Sequence, residues 1–456
     1  MQTPFSPASP AQASADEQRR DILSACRSFF SASQNNAAFV PGETYIPTST
    51  KVLDADDLVN LVDASLDMWL TAGRFARDFE RLLPRQLGKH GQALLVNSGS
   101  SANLLAVSSL GAQMLGGLGI KPITRGDEVI TVAAGFPTTV SPIIQNGWVP
   151  VFVDVDASTL NTTLDLIKAA RTNKTRAVVL AHTLGNPYRA DLVSKWCEQE
   201  GLYLVEDCCD ALGARIGDRA AGSFGHFATL SFYPAHHITM GEGGAVVPRN
   251  AKWKRVAESL RDWGRDCWCE PGQDNTCGKR YEWQLGQLPC GYDHKYTYSN
   301  IGYNLKATDM QAALGLSQLN KLERFVAARC SNWKKLYEGV RSSPILSEHI
   351  EPVIATDGTT PSWFGFPLYC SQAIDREKLV AFLEQRRIGT RLVFGGDLTK
   401  QPAYQNVEFR VVGELKSTDR VMRKGLWMAV HPALDDTKIA YMLDQLEQGV
   451  RAQLQG

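Results

Sequence analysis

The chain has no excess of charge of either sign. Its 48 Lys and Arg residues balance 48 Asp and Glu residues, so the formal net charge at pH 7 is zero. A protein that binds nucleic acid or an anionic membrane surface through bulk charge needs a basic surplus. The composition therefore argues against nucleic acid and against a membrane as partners.

The chain also lacks an apolar run long enough to cross a bilayer. Its first residues, Met1 to Asp21, are rich in Ala, Ser, Pro and Gln and have no apolar segment of the kind found in signal peptides. Internal repeats are absent, and low complexity is confined to these first residues. We therefore expect a cytoplasmic protein without membrane spans.

Seven short apolar runs alternate with helical patterns. They occupy residues 93–96, 128–133, 149–155, 177–182, 202–206, 228–232 and 244–247. Continuous Val, Ile and Leu runs of this length are typical of strands buried on both faces. The pattern predicts an α/β fold in which helices cover both sides of a mixed, mostly parallel, seven-stranded sheet.

Three regions are predicted along the chain of 456 residues. Residues 1–50 read as a loosely ordered N-terminal arm with an amphipathic stretch at 21–30, and residues 51–327 as the large domain. A long helical pattern at 308–337 leads into a smaller α+β domain, residues 328–456. In that domain, strand patterns at 363–369 and 390–393 flank a helix at 375–385, and an amphipathic helix ends the chain.

A glycine-containing turn follows the first predicted strand. The sequence Asn97-Ser98-Gly99-Ser100-Ser101-Ala102 opens a predicted helix at 103–110. Free backbone N–H groups and the positive helix end favour an anion there, Gly99 permits close approach, and the hydroxyls of Ser100 and Ser101 add donors. The turn predicts a phosphate site, although Ser-Gly-Ser turns are also ordinary helix caps.

Two further residues follow predicted strands. Asp207 ends the strand at 202–206, at the edge of the sheet where α/β folds bind ligands. Phe136 follows the strand at 128–133 and is a candidate to stack on a planar ligand. Their structural alternatives are a helix cap for Asp207 and a core position for Phe136.

The segment from Ser231 to Gly244 contains two adjacent histidines, His236 and His237, and no lysine. Together with the phosphate turn, the aromatic residue, the strand-end Asp and a Gly-Glu-Gly-Gly ending, it resembles the DegT/DnrJ/EryC1/StrS sugar aminotransferase superfamily over about residues 51–450. In most members a lysine at the position of His236 forms a Schiff base with pyridoxal phosphate (PLP). The histidine version resembles the dehydratase branch, the nucleotide-linked 4-keto-6-deoxyhexose 3-dehydrases.

The resemblance implies a fold-type I PLP-dependent transferase fold and a set of site residues. Pyridoxamine 5'-phosphate (PMP) would bind without a covalent tether, Asp207 would pair with the pyridine nitrogen, and His236 would act as base. The remaining implied cofactor contacts are Gly99, Ser100, Ser101 and Ser231 at the phosphate, Phe136 on the ring, and Asn304 reaching the partner's cofactor in a homodimer with shared active sites. Lys306 departs from the arginine of many relatives, and we expect His182 to line the pocket and His237 to face away.

Ten cysteines are many for a cytosolic enzyme, and several are clustered. Between Cys209, Cys267, Cys269 and Cys277 lie 57, one and seven residues. Four thiolates with such gaps suit an iron–sulfur cluster or a structural zinc. The spacing resembles the [2Fe-2S] pattern of the CDP-4-keto-6-deoxyglucose 3-dehydrase, while Cys208 and Cys290 are competing ligands. Adjacent residues on an extended segment point in opposite directions, so only one of Cys208 and Cys209 should face the cluster.

The function that the resemblance implies is C3 dehydration of CDP-4-keto-6-deoxy-D-glucose in 3,6-dideoxyhexose biosynthesis for lipopolysaccharide O-antigen. With a partner reductase that passes electrons from NAD(P)H through flavin and iron–sulfur groups, the outcome is C3 deoxygenation. Three alternatives remain: a TDP-4-keto-2,6-dideoxyhexose 3-dehydratase using ferredoxin or flavodoxin, a GDP-4-keto-6-deoxymannose 3-dehydratase-like enzyme, and a non-catalytic cofactor-binding protein. The intact Asp207, phosphate turn and cysteine spacing argue against the last.

Overall fold

The computed structural model describes residues 10–33, 38–269 and 272–455. The α-helices in this part of the chain are α1 Pro10–Ser33, α2 Ala55–Leu66, α3 Arg74–Gln86, α4 Gly99–Ser109, α5 Pro137–Gln145, α6 Leu164–Ala170, α7 Ala190–Glu200, α8 Ala251–Arg261, α9 Asp309–Leu319, α10 Leu322–Ser342, α11 Pro344–His349, α12 Arg376–Gln385, α13 Lys416–Lys424 and α14 Asp436–Leu454. No helix among the described residues is long and apolar enough to span a bilayer.

In the part of the chain that the structure describes, the strands form one large and two small sheets. They are β1 Leu94–Val96, β2 Glu128–Val132, β3 Val149–Val153, β4 Thr175–Ala181, β5 Tyr203–Asp207, β6 Arg215–Ile216, β7 Arg219–Ala220, β8 Phe227–Ser231, β9 Gly244–Pro248, β10 Ile350–Pro352, β11 Thr359–Thr360, β12 Phe366–Cys370, β13 Thr390–Arg391, β14 Arg410–Val411 and β15 Gly425–Met428. The large sheet has the order β1-β9-β8-β5-β4-β2-β3-β14, and only β9 runs against its neighbours.

The large sheet separates two hydrophobic cores. On β4, Ala177 and Val179 pack into one core, whereas Val178 and Leu180 pack into the other. Successive side chains of a strand point to opposite faces, so a strand covered by helices on both sides must be apolar throughout. The α/β class and the mixed, mostly parallel sheet predicted from the apolar runs are thereby confirmed.

Among the described residues the large sheet has eight strands rather than the predicted seven. The additional strand, β14, comes from the C-terminal part of the chain and pairs in parallel with β3 through Arg410 and Val411. Two residues are too few to give a sequence pattern. The pairing is reinforced by the Arg410 guanidinium, which donates to both carboxylate oxygens of Glu128 at 3.0 and 2.8 Å.

Two helical predictions differ from the structure. The single helix predicted at 308–337 is instead two helices, α9 and α10, and Asn320 caps the C-terminus of α9. The next residue, Lys321, has its ammonium 2.8 Å from the Asp57 carboxylate. The arm predicted to be loosely ordered contains α1, which is more than twice as long as the predicted amphipathic stretch. Arg19 anchors it by donating to Asp63 and Asp67 at 2.6 and 2.7 Å, polar contacts that hydrophobic periodicity does not reveal.

The C-terminal region carries an antiparallel sheet of order β10-β12-β15-β13 packed against α10, α12 and α14. The predicted strands, internal helix and terminal helix correspond to β12, β13, α12 and α14, whereas β10, β15, α11 and α13 were not predicted. The proposed domain limits stay a prediction; the limit at 327/328 falls inside α10. The C-terminal region contributes to a cavity, because β13 and the residues that follow it lie beside the carboxyl edge of the large sheet and help to line the cavity there.

Candidate active site

A cavity of about 730 Å³ opens at the carboxyl edge of the large sheet. Strands β4, β5 and β8 run parallel. Asp207 and Ser231 end β5 and β8, His182 directly follows β4, and all three residues line the cavity. The predicted site residues that the structure brings together there are Gly99, Ser100, Phe136, Asp207, Cys209, Ser231 and His236. The cavity is the site that the parallel topology favours for a ligand.

Helix α4 begins at the cavity wall. The Ser98 hydroxyl caps it by accepting from the Ser101 backbone N–H at 3.1 Å, and a side chain at Gly99 would place its Cβ 2.4 Å from the Ser231 Cβ. The bare backbone and the helix N-terminus suit a phosphate. Ser101 does not line the cavity, because its hydroxyl donates to the Asn97 side chain at 2.6 Å.

We predict that Gly99→Ala lowers both stability and cofactor affinity. The added methyl group would overlap Ser231, and overpacking of this kind costs about 1–3 kcal/mol. Thermal denaturation and absorbance titration with PMP measure the two effects. Gly116→Ala is the control, since a side chain there meets nothing within 4 Å. Equal behaviour of the two variants would contradict close packing at the turn.

The Asp207 carboxylate is buried and fixed by three donors. Its Oδ2 accepts from Asn103 at 2.8 Å and from Thr139 at 2.6 Å, and its Oδ1 accepts from the Cys209 N–H at 3.1 Å. Because Oδ1 has a free lone pair and the residue lines the cavity, the carboxylate has room for one further donor, such as a pyridinium N–H. Sequence reasoning missed Asn103 and Thr139, although Asn103 lies one helical turn after Gly99.

Phe136 lines the cavity at the start of α5. Its side chain remains 48% exposed, and its ring meets Phe394 edge-on, with centroids 5.9 Å apart. Exposed aromatic rings that line a cavity offer a flat apolar surface on which a planar ligand can stack. Phe394 comes from the C-terminal region and was not predicted.

His236 lies in the turn after β8 and lines the cavity, whereas His237 faces away from it. The His237 ring is buried and its Nε2 lies 2.9 Å from the Ser362 carbonyl oxygen. Burial, followed by the charge of Arg329, holds the pKa of His237 well below its usual value. The orientation expected for the two histidines is therefore the one observed.

His182 is joined to a buried carboxylate behind the cavity. Its Nε2 lies 3.2 Å from Glu206 Oε2, and its ring stacks on Tyr188. Burial raises the pKa of the Glu206 carboxyl, but the hydrogen bond and charge of His182 outweigh this effect, so the pKa of Glu206 lies below its usual value. Ligand atoms of His182, Glu206 and Cys208 lie within 4.8 Å of one another. The N–H groups of Gly222, Phe224 and Gly225 already occupy the Glu206 oxygens, so this group is a hydrogen-bond network.

The four predicted metal ligands are divided between two cavities. Cys209 lines the large cavity, whereas Cys267, Cys269 and Cys277 line a small one together with His294. The Cys277 Sγ lies 3.7 Å from His294 Nδ1, and the Cys269 N–H donates to the Cys267 Sγ at 3.4 Å. The small cavity supplies three thiols, one fewer than a [2Fe-2S] cluster takes from an all-cysteine site.

Local backbone structure explains the division. The Cys209 N–H is bonded to Asp207, which fixes the turn after β5, whereas the other three cysteines lie in irregular chain between α8 and α9. Burial and the Asp207 charge raise the pKa of the Cys209 thiol well above its usual value, so a thiolate there requires a cation such as a metal. The Cys208 Sγ points away, toward the position of a side chain at Gly222, and Cys290 is exposed.

Asn304 and Lys306 lie outside the cavity lining. Asn304 is exposed and its backbone pairs with Asp262. The Lys306 ammonium lies 3.3 Å from the Asp262 carboxylate and 3.7 Å from the centroid of the Trp263 ring. The expected reach of Asn304 to a partner's cofactor stays a prediction.

Comparison with known proteins gives one family. Residues 52–447 match the DegT/DnrJ/EryC1/StrS aminotransferase family. The lipopolysaccharide biosynthesis protein RfbH of Salmonella typhimurium is 52% identical over 412 residues, covering 90% of this chain and 93% of RfbH. The dTDP-4-dehydro-2,6-dideoxy-D-glucose 3-dehydratase of Saccharopolyspora spinosa is 51% identical over 431 residues, covering 94% of this chain and 91% of that enzyme.

Solved structures are similar over most of the chain. A mutant of GDP-4-keto-6-deoxymannose-3-dehydratase with bound GDP-perosamine has a TM-score of 0.78 and 25% identity, and covers 88% of this chain and 100% of its own. The Escherichia coli GDP-4-keto-6-deoxy-D-mannose-3-dehydratase with bound hydrated PLP has a TM-score of 0.77 and 26% identity, over 88% of this chain and 99% of its own. The predicted PLP-dependent transferase fold is confirmed.

Proposed function

The chain belongs to the DegT/DnrJ/EryC1/StrS aminotransferase family, and we propose that within it the chain is a PMP-dependent 3-dehydratase of nucleotide-linked 4-keto-6-deoxyhexoses. One observation carries the proposal: among the described residues that line the large cavity there is no lysine, and His236 lies there with Asp207 and the α4 N-terminus. Without a lysine amine the cofactor has no covalent tether, so a free amine form suits the site. The names of the relatives support the same reaction class.

The cavity residues fit the cofactor in three places. The N-terminus of α4, with Gly99, Ser100 and the facing Ser231, would hold the phosphate, and Phe136 would contact the ring. Asp207 would accept the pyridinium N–H and keep that nitrogen charged. When bound, PMP supplies an amine that condenses with the C4 ketone and a ring that withdraws electrons from the reacting carbon.

His236 would then move protons at the C4' carbon of the cofactor. A neutral imidazole can accept a proton there, and the imidazolium that results can donate one to the departing C3 hydroxyl. The hydroxyl leaves as water, and two electrons and two protons convert the dehydrated sugar to the 3-deoxy product. We propose that a separate reductase with flavin and iron–sulfur groups, or a ferredoxin, supplies those electrons.

The large cavity also has features that suit the nucleotide-sugar. Arg391 is the one Lys or Arg side chain among the described residues that line it, and Leu392, Tyr233 and Phe394 add apolar surface nearby. A guanidinium pairs well with a diphosphate, and the apolar groups suit a sugar and base. We propose CDP-4-keto-6-deoxy-D-glucose as the substrate, in the biosynthesis of lipopolysaccharide O-antigen. The working form would be a homodimer that shares its active sites.

Product analysis tests this proposal. The PMP-loaded protein is incubated anaerobically with CDP-, TDP- or GDP-linked 4-keto-6-deoxyhexose, with and without an iron–sulfur flavin reductase and NADH, and products are identified by mass spectrometry and NMR. We expect loss of the C3 oxygen, fastest with the CDP sugar. A preference for the TDP sugar would correct the nucleotide, and an aminated sugar as product would contradict the dehydratase assignment.

We further propose that Cys209, Cys267, Cys269 and Cys277 hold a [2Fe-2S] cluster. The spacing of the four residues supports it, as does the convergence of the last three on one small cavity. The proposal requires Cys209, which lines the large cavity, to reach the three cysteines of the small cavity. No step of the reaction is assigned to the cluster.

Iron and sulfide analysis provides the test. Anaerobically purified protein should be brown, with about two irons and two labile sulfides per chain. We predict that Cys269→Ser bleaches the protein, as does Cys209→Ser, while Cys208→Ser and Cys290→Ser keep the colour. PMP binding should persist in all four variants. Stoichiometric zinc without sulfide would contradict the cluster, and retained colour in Cys209→Ser would remove Cys209 from the ligand set.

A further inference from the structure

Asp210 lies beside His236 in the wall of the large cavity. The His236 Nδ1 is 3.3 Å from the Asp210 Oδ1, and the two side chains keep only 15% and 13% of their exposure. The alignment falls short of a hydrogen bond, and Nδ1 has no hydrogen-bond partner elsewhere in the described chain. A small rotation of either side chain would form the bond, as often happens when an active site binds its ligand.

The His236 ring is held so that its Nδ1 edge stays near Asp210. The backbone carbonyl of His236 accepts from Arg329 at 3.0 Å, and its N–H donates to the Tyr233 carbonyl at 2.9 Å. The ring lies against Phe364, with centroids 5.2 Å apart. These contacts fix the backbone of His236 and one side of its ring, and they leave the Nδ1 edge directed toward Asp210.

We propose that Asp210 is the positioning residue of His236. A neutral imidazole carries one N–H, and an ionised carboxylate can only accept. Pairing with Asp210 therefore puts the hydrogen on Nδ1 and leaves the Nε2 lone pair as the base. When Nε2 takes a proton, the nearby carboxylate stabilises the imidazolium that forms. The assignment of the Nδ1–H tautomer depends only on the contact between Asp210 and His236. The role of that tautomer in catalysis rests on the proposed function.

The charges around the pair are consistent with this role. Burial lowers the pKa of Arg329 to about 10, so it is still a cation at neutral pH, and its charge interacts with Asp210. His237, the neighbouring imidazole, is bonded to the Ser362 carbonyl and does not compete for the carboxylate. Asp207 is engaged by its own three donors. Neither His237 nor Asp207 therefore competes within the pair formed by Asp210 and His236.

Nitrogen NMR of the PMP-loaded protein tests the tautomer directly. With ¹⁵N-labelled histidine, His236 is assigned as the signal that disappears in His236→Asn. We expect the Nδ1–H tautomer in the native protein and the Nε2–H tautomer in Asp210→Asn, because the amide can donate to Nδ1. An Nε2–H tautomer in the native protein, or no change in Asp210→Asn, would overturn the proposal whatever reaction the protein catalyses.

Proton exchange supplies the functional half of the test. In D₂O with PMP and nucleotide-sugar, Asp210→Asn should exchange the C4' hydrogen about a hundredfold more slowly or worse, with PMP affinity and melting temperature preserved. Asp210→Glu should recover part of the rate, and Asp218→Asn, at an exposed carboxylate, should match the native protein. Native-like exchange in Asp210→Asn would overturn the positioning role. Exchange absent from the native protein would instead contradict the proposed function.

Discussion

Asp207→Asn is expected to lower turnover by about three orders of magnitude or more, equivalent to about 4 kcal/mol of transition-state stabilisation. The side chain keeps its shape and its neighbours Asn103 and Thr139, but it loses the charge that keeps the pyridine nitrogen protonated. The cofactor would still bind through the α4 N-terminus. Steady-state rates and a PMP titration separate the two effects.

The control for Asp207→Asn is Asp165→Asn, which removes an exposed carboxylate in the first turn of α6. This variant should have the native rate. If Asp207→Asn also kept a near-native rate, Asp207 would be only a structural acceptor for Asn103, Thr139 and the Cys209 N–H.

His236→Lys is expected to change the chemistry of the protein rather than only its rate. A lysine amine at this point of the cavity would form a Schiff base with PLP, so borohydride should fix the cofactor to the protein. Dehydration should be suppressed because the base is gone, and weak transamination with an amino donor could be measured in its place. Mass spectrometry of the reduced protein identifies the modified residue.

His90→Lys is the matched control, because His90 is exposed and outside the cavity lining. It should acquire no cofactor and keep the native dehydration rate. An unlabelled His236→Lys variant with unchanged dehydration would remove His236 from the cofactor site.

Residues that follow parallel strands were predictable as a group. Asp207 and Ser231 end adjacent strands, and the turn at Gly99 opens the helix after β1, so topology alone carries them to one edge of the sheet. His236 lies at the same edge because the turn that contains it comes directly after β8 in the chain. These local patterns needed no tertiary information beyond the order of the strands.

Contacts between distant segments were not predictable in the same way. Thr139 reaches Asp207 from α5, Phe394 reaches Phe136 from the C-terminal region, and Asp210 faces His236 across two turns. Sequence spacing does not predict these contacts, because each contact depends on the angle at which separate elements pack. Asp210 carried the weakest signal, since an acidic residue after a strand is usually a cap or a surface charge.

The spacing of the cysteines in the sequence predicts only in part which of them lie together. Cys267, Cys269 and Cys277 are close in sequence and lie around one small cavity, but Cys209 is anchored in the large one. A gap of 57 residues says nothing about which surface each thiol faces. The chain fold, and in particular the bond from the Cys209 N–H to Asp207, decides that.

Exchange of the cofactor C4' hydrogen is the decisive measurement of the proposed chemistry, because it reports the step assigned to His236 and Asp207 without a reductase. The native protein, PMP and CDP-4-keto-6-deoxy-D-glucose are incubated anaerobically in D₂O, and recovered PMP is examined by mass spectrometry and NMR. If His236 is the base at C4', deuterium should be incorporated stereospecifically and only with the sugar, and incorporation should be lost in His236→Asn, which still binds PMP. Absence of incorporation with every nucleotide-sugar, or incorporation at the native rate in His236→Asn, would contradict that role.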